Sequence, residues 1–362
     1  MKSISFFLSL FLASLFVNAQ TFSLKKLGTA TVDQYLNKAQ FNDDYNGYVK
    51  QAYAASKNLP ANFQTDSLLD CTTYLQDALN KHDIVLLPNN SLKISDKGLA
   101  LHSNQVLLFQ PNSKLVLIPT AKNSYNMLQV YGVSNIKVFY ANLEGDRDKH
   151  MGKTGQWGFG IGIKGSDQVK IYSPYIKNTW GDGIYLGQTG KKPSTNIDIN
   201  NAVIDNVRRN GISITSAKNV NILNSYISNT NGNSPQSGID IEPNNIIDDV
   251  DNVTIKNLTT FNNKWAGILL VFEQFKATQE KTISINILGH TDTYSTYGIA
   301  FHGFKNDKTT SNLGGQINVQ NTNYSKNKDK FFFYKTNLSQ LNLNTTDSMM
   351  KSTFNKFKIK LK

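Results

Sequence analysis

The feature that most constrains this 362-residue chain is a four-residue core, Gly-Ile followed by any residue and then Ile, Leu or Phe, that occurs six times. It stands at Gly160-Ile161-Gly162-Ile163, Gly183-Ile184-Tyr185-Leu186, Gly211-Ile212-Ser213-Ile214, Gly238-Ile239-Asp240-Ile241, Gly267-Ile268-Leu269-Leu270 and Gly298-Ile299-Ala300-Phe301. The steps between these glycines are 23, 28, 27, 29 and 31 residues, a spacing at which internal repetition signals a solenoid. In each core the two aliphatic residues lie two apart and face one side of a strand, while the residues between and after them face the other. Ile184, Ile212, Ile239, Ile268 and Ile299 are therefore expected to form one buried ladder.

Between the cores lie further short strands such as Gln168-Val169-Lys170-Ile171, Asn219-Val220-Asn221-Ile222 and Asn252-Val253-Thr254-Ile255, which gives two or three strands per turn. Apolar runs at Ile84 to Leu87, Leu92 to Ile94, Val106 to Phe109 and Leu115 to Ile118 extend the pattern backwards. The solenoid is predicted over residues 84 to 335. Asparagine beside these strands suits tight turns, because Asn tolerates positive φ; most of the Asn residues are read as structural. Leu68, Leu69, Leu75 and Leu79 predict a helix over residues 66 to 81, N-capped by Asp66 and plugging the first turn. A weaker helical spacing runs through Tyr35, Leu36, Ala39, Tyr48, Val49 and Ala52. The tail, with Phe354, Phe357, Ile359 and Leu361 among lysines, is expected to close the last turn and charge its edge.

At the other end, Lys2, the apolar run Ile4 to Val17 and the small-residue site Val17-Asn18-Ala19 have the order of a secretory signal. The run is too short to span a bilayer comfortably. The expected division is a signal peptide over 1–19, an N-terminal extension over 20–65 and the β-helix domain with its caps over 66–362. The product would be secreted, periplasmic or at the cell surface, without a transmembrane anchor once the signal is removed. Cys71 is the single cysteine, so no intramolecular disulfide framework holds the fold. The net charge of +12 favours acidic partners. With no Lys/Arg cluster on a nucleic-acid motif, an acidic polysaccharide or oligosaccharide is the expected partner, and nucleic acid is not.

A helix, then Val85-Leu86-Leu87-Pro88, then Gly-Ile turns interleaved with Asn-Val-x-Ile strands resembles the pectin-lyase-like right-handed parallel β-helix superfamily over residues 66 to 335. The resemblance implies an all-β solenoid with an N-terminal capping helix. Its members include polysaccharide lyases, polygalacturonase-type hydrolases, epimerases, phage tailspikes and non-catalytic adhesins, so it implies a fold more than an activity. Polygalacturonases carry an Asn-Thr-Asp-Gly core with a catalytic Asp. Thr179-Trp180-Gly181-Asp182-Gly183 is similar to it at Asp182-Gly183 alone, and that family's paired aspartates, Gly-His-Gly and Arg-Ile-Lys do not stand at the matching turns.

Stacking the turns on their glycines gives a column Asp182, Asn210, Ser237, Ala266, Tyr297 just before the glycine. It gives two outward columns as well, Tyr185, Ser213, Asp240, Leu269, Ala300 and Gly187, Thr215, Glu242, Val271, His302. Strands of a parallel sheet lie about 4.8 Å apart, so column neighbours touch. Asp240 and Glu242 form the sharpest pair, with backbones about 6.6 Å apart, near the 6.5–9.5 Å separation of an inverting glycosidase. Asp240 and Glu242 are thus the predicted acid and base and Asp182 their assistant. Arg209 and Arg208 are expected to hold substrate charge, and Tyr185, Trp265 and Trp180 to contact sugar. Calcium ligation by Asp240, Glu242 and Asn244 is the alternative for the same oxygens, since hard cations take several; otherwise neither metal nor cofactor is expected. The charged, Gly-rich stretch from Glu144 to Gly158 is a candidate binding loop. There Arg147 could pair with a carboxylate or sulfate, His150 could exchange protons, and Trp157 adds an aromatic surface. His290 and His302 are isolated and read as structural or surface residues. No zinc spacing, phosphate loop or nucleophile elbow is present.

Three functions remain open on these residues: hydrolysis of an acidic polysaccharide by the paired carboxylates, β-elimination with His150, Tyr185 or a lysine removing the α-proton, and glycan binding without catalysis.

Overall fold

The Gly-Ile cores pair in the register their spacing predicts. In the computed structural model, which describes residues 22–66, 68–275, 281–302, 313–335 and 341–356, Ile161 pairs with Ile184, and the ladder continues through Ile212, Ile239, Ile268 and Ile299. All six side chains are fully buried. Every paired strand is parallel, and the strands form three sheets of eleven, nine and nine members among the described residues. Each turn thus contributes three strands, and the chain is a parallel β-solenoid. The signal-like residues 1–19 and the tail residues Phe357, Ile359 and Leu361 lie outside the described residues.

The solenoid is held by like stacked on like. The Asn-Val-x-Ile strands stack their Val and Ile side chains inward, as in Val169, Ile197, Val220 and Val253, which is the near-continuous apolar core that a parallel sheet needs. The asparagines that follow or precede the strands adopt positive φ, for example Asn196 (55°), Asn219 (54°) and Asn252 (50°). Their side chains bond along the stack: Asn219 Nδ2 donates to Asn196 Oδ1 (3.0 Å) and Asn252 Nδ2 to Asn219 Oδ1 (2.8 Å). Parallel ladders join Asn257 to Asn224 (2.9 Å) and Asn262 to Asn229 (2.8 Å). Asn therefore serves twice, as a tolerated left-handed residue and as a cross-turn hydrogen bond.

The ends differ in detail from expectation. The N-terminal helix runs over Thr72–Lys81, not from residue 66. Asp70, whose Oδ1 accepts from the Thr72 amide (2.9 Å), caps it, and Asp66 instead closes a local turn on Leu68. Leu75, Ala78 and Leu79 are fully buried against the first turn. Strand pairing begins earlier than residue 84, since Tyr53 and Ala54 pair with Val85 and Leu86, and it ends later, at Leu341–Asn344. Helix Ser348–Lys356 then covers the far end with Met350 and Phe354. Cys71 is buried, and burial pushes its thiol up to about 11. No helix of the described residues is long and apolar enough to cross a membrane.

Residues 22–49 are not a rung at all. They contain two short helices, Thr29–Leu36 and Asn42–Val49, broken at Asn37 with φ 36°, and they run along the outside of the solenoid as a strap. Asn262 donates to the Ser23 carbonyl (3.0 Å), Asn229 exchanges bonds with Lys25 (2.9 and 3.1 Å), and the Tyr35 ring packs tilted against Tyr226 (4.9 Å). Further on, Phe41 meets Tyr172 (4.6 Å) and Tyr45 meets Tyr140 (4.8 Å). The strap thus descends from late turns to early ones.

Candidate functional site

The outward columns of the Gly-Ile sheet converge on one guanidinium. Arg209 Nη1 lies 3.1 Å from Asp182 Oδ2, and Nη2 lies 3.9 Å from Asp240 Oδ2 and 3.8 Å from Glu242 Oε2. Asn210 ties the cluster to the backbone: its amide donates to Asp182 Oδ1 (3.0 Å), its Nδ2 to Asp240 Oδ2 (2.8 Å), and its Oδ1 accepts from the Ser237 amide (3.0 Å). Asp182 and Asp240 are buried, while the Glu242 side chain keeps 35% of its exposure. Burial, reinforced by the Glu242 charge, holds the Asp240 carboxyl well above the usual carboxylate range despite Arg209. Burial also raises Asp182, against the pull of Arg209. Burial alone would lower Arg209, but Asp182, Asp240 and Glu242 outweigh it and keep the guanidinium charged. Arg209 lies beside both carboxylates that the calcium alternative would use. Among the described residues no group of three or more His, Cys, Asp or Glu side chains is arranged to hold a metal.

Over this cluster opens a cleft of about 530 Å³ lined by Arg209 and Glu242, by Trp265, Leu269 and Val271, and by Gln156, Gln236, Lys264 and His302. Two columns explain it. Turning from Asp240 and Glu242 to the next strand replaces carboxylates by Leu269 and Val271, and the strand after that brings His302 beside Val271. The floor is therefore acidic at one end, apolar in the middle and basic at the other. Trp265 is fixed edge-on by Tyr297 (4.8 Å) and Phe333 (5.6 Å). A fixed aromatic beside apolar floor is a surface on which a sugar ring can stack.

The other predicted residues gather elsewhere. Trp180 is buried between the His150 ring (3.8 Å) and the Arg208 guanidinium (3.8 Å). His150 Nδ1 stands 2.8 Å from Asp146 Oδ2, and Asp146 Oδ1 accepts from the Tyr125 hydroxyl (2.6 Å). Arg208 also donates to the Gly155 carbonyl (2.7 Å). Arg147 is not pinned by its neighbours Asp146 and Asp148 but donates to the Asn206 carbonyl (3.0 Å) and Asn231 Oδ1 (2.7 Å). These residues clamp the 144–158 segment onto the solenoid, and Asn233 completes the clamp by donating to Gln156 Oε1 (2.8 Å). Tyr185 lies flat on Phe159 (4.7 Å) and accepts from the Thr215 hydroxyl (2.9 Å). Trp157 alone of this set is exposed.

Sequence reasoning missed Lys264, Gln156, Gln236 and the cleft role of His302. His302 was already in one column with Glu242, so the signal was present; treating it as isolated overlooked that column. His290, by contrast, is a core residue. It is buried against Thr260 Oγ1 (2.8 Å), and burial lowers it to about 3. Beside it Asp292 occupies an inward position, in a column that runs from Ile176, Ile204 and Ile227 through Thr260.

Comparison with known proteins agrees with the fold. Residues 79–246 match the family model of the right handed beta helix region. The uncharacterised protein YclG of Bacillus subtilis (strain 168) is 28% identical over 254 residues, covering 66% of this chain and 39% of that protein. The chain therefore spans well under half the length of this curated relative. Among solved structures, the N-terminal fragment of bacteriophage phi29 gene product 12 superposes with TM-score 0.59 at 15% identity, covering 86% of this chain and 56% of that one. The endo-xylogalacturonan hydrolase of Aspergillus tubingensis superposes with TM-score 0.56 at 13% identity, covering 78% and 84%. At such identities the likeness is one of fold, the right-handed parallel β-helix.

Proposed function

We propose that this right-handed β-helix is an exported enzyme that hydrolyses a polysaccharide laid across the Trp265 cleft. The observation that carries the reading is a buried Asp240 beside a cleft-facing Glu242, under an aromatic wall. Burial raises the Asp240 carboxyl well above its usual range, which favours a proton shared within the pair. Glu242 is the carboxylate that lines the cleft among the described residues, so it delivers that proton to the leaving glycosidic oxygen as the C–O bond breaks. Arg209 offsets the negative charge left on the pair. Asp240 then acts through Glu242, not directly on the sugar, and Asp182 orients Arg209 from below.

Water attacking the anomeric carbon must lose a proton on the opposite side. His302 stands two strands further along the same outward column, about 9.6 Å away at 4.8 Å per strand, close to the 6.5–9.5 Å separation of acid and base in inverting enzymes. Its imidazole is the group proposed to take that proton. The hydrolase with TM-score 0.56 has, by its name, a polysaccharide substrate, which supports the substrate class by fold analogy only. A lyase reading also has an observation behind it, since Lys264 and His302 share the cleft with Arg209 and could remove an α-proton while Arg209 neutralises a uronate.

The test is incubation of the purified protein with a panel of polysaccharides, reading new reducing ends and ultraviolet absorbance. New reducing ends without absorbance support hydrolysis, whereas absorbance from a new double bond assigns the lyase. If no polysaccharide is cut, the enzymatic reading fails and the cleft is a glycan-binding surface; if Glu242→Gln cuts as fast as the native chain, Glu242 is not the acid and the proposed mechanism fails.

A further inference from the structure

Lys264 belongs to two cavities. On one side it lines the Glu242 cleft, and on the other it lines a groove of about 470 Å³ with Phe22, Lys25, Tyr294, Thr296 and Lys328. Two of those residues, Phe22 and Lys25, come from the strap, so the groove exists only where the strap has docked on the late turns. The Lys25 ammonium lies over the Tyr294 ring (4.4 Å), Lys326 approaches the same ring (5.4 Å), and Lys328 lies over Phe22 (5.0 Å). No carboxylate lies within ion-pair distance of Lys25, Lys264, Lys326 or Lys328 among the described residues, although other surface lysines of the chain do pair, as Lys218 does with Asp249 (3.1 Å). Burial, and then the neighbouring Lys25 charge, lowers the Lys328 ammonium. Like charges are thus crowded at one place, resting on aromatic faces, and the one carboxylate that lines the groove among the described residues, Asp329, accepts from the Tyr297 hydroxyl (2.7 Å), so three ammonium groups face a single carboxylate. A protein tolerates that arrangement at a cost that a bound polyanion removes.

We propose that this groove is a subsite for anionic sugar units, continuous with the Glu242 cleft through Lys264, so that the glycan recognised carries carboxylate or sulfate groups at intervals along its chain. The inference deepens the glycan reading of the cleft and rests on it for the direction of the chain. Tyr294 and Phe22 give sugar rings apolar contact while the ammonium groups meet their charges. Continuity with a cleft whose floor is apolar and whose wall is Trp265 favours a saccharide over a nucleic acid.

The experiment is calorimetric titration of the Glu242→Gln chain with oligosaccharides of equal length: a uronate oligomer, a sulfated galactan oligomer and a neutral glucan. The same titrations use a Lys25→Glu/Lys328→Glu variant in that background. We expect at least one anionic series to bind more tightly than the neutral one at low salt. The double variant should weaken that binding by about tenfold or more, and the gap should close as salt shortens the Debye length towards about 3 Å. Which anionic series binds identifies the charged group. A melting temperature unchanged in the variant shows that the strap is still docked; should it fall, the single Lys328→Glu chain, which changes no strap residue, must show the loss instead with its melting temperature retained. Equal binding by variant and native chains, preference for the neutral glucan, or tighter binding of an oligonucleotide of equal charge overturns the proposal. Because binding is read without turnover, loss of binding in a chain that cuts nothing sinks the hydrolase reading alone, while cleavage of a neutral glycan leaves that reading and sinks this one.

Discussion

Replacing Arg209 by Met removes one charge and keeps most of the side-chain volume, so it isolates the role of the central cation. Three carboxylates depend on it, at 3.1, 3.9 and 3.8 Å. At an effective dielectric of about 20, contacts of that length are worth roughly 4 to 5 kcal/mol each before desolvation of the guanidinium is counted. Burying Arg209 offsets much of this, and removing one partner from a buried ionic cluster typically costs about 3–5 kcal/mol. Protonation of Asp182 and Asp240 can relieve the loss, and the direction with pH follows. Both carboxyls are already raised in the folded chain, and without Arg209 they rise further. Between the unfolded value near 3.9 and their new folded values, the native state binds more protons than the unfolded state, so stability falls as pH rises. Urea unfolding of Arg209→Met at about pH 5 and about pH 8 should therefore show the larger deficit at the higher pH. A deficit below about 1 kcal/mol at both, or one that shrinks as pH rises, refutes the view that Arg209 sustains buried charge.

Glu242→Gln and Asp240→Asn should each lower turnover by about 10²-fold or more, with thermal melts showing the fold retained; near-native rates on the best substrate would remove the pair from the chemistry. Asp292, pushed up to about 7 by burial and receiving bonds from Thr260, Ser295 and Asn327, should make stability decline from about pH 4 through about pH 7 as it ionises in the folded chain. Asp292→Asn should flatten that part of the profile, read from urea midpoints across the range. Ile239→Asp puts an unpaired charge in the fully buried ladder and should abolish soluble folded protein, seen as loss of the β-sheet circular-dichroism signal. Asn219→Ala should cost about 1–2 kcal/mol, because the residue sits at φ 54° and bonds to Asn196 and Asn252, whereas Asn219→Gly should recover much of it.

The ladder of Ile184 to Ile299 was legible because two periods coincide, one of two residues within a strand and one of nearly constant length between turns. The same columns brought Asp240 and Glu242 together on paper, and Arg209 falls one residue before Asn210 in the adjoining column. What the columns could not tell is which outward residues stay wet. Asp240 points out of the sheet yet is buried, because Arg209 and Asn210 lie over it; Trp180 is covered by His150 and Arg208, residues from separate turns. Loops of unequal length decide such cover, and they have no period to read. Asp292 was hidden for the opposite reason. It lies in an inward column in which Ile176, Ile204 and Ile227 give way first to Thr260, and donors from Thr260, Ser295 and Asn327 make the buried carboxyl tolerable. The strap escaped because its apolar residues pack on turns that lie one to two hundred positions later in the chain.

That strap orders events as well as atoms. Phe22 and Lys25 precede every rung in the chain, yet the surfaces that receive them are made by Asn229, Asn262 and Tyr294. Contacts so distant in sequence reward their closure only after most of the solenoid has been assembled. The segment that leaves the ribosome ahead of the rungs must wait undocked while they stack, and its arrival is a late event, one that proofreads the stack: a solenoid with a slipped turn would present those three positions at the wrong heights and leave the strap loose.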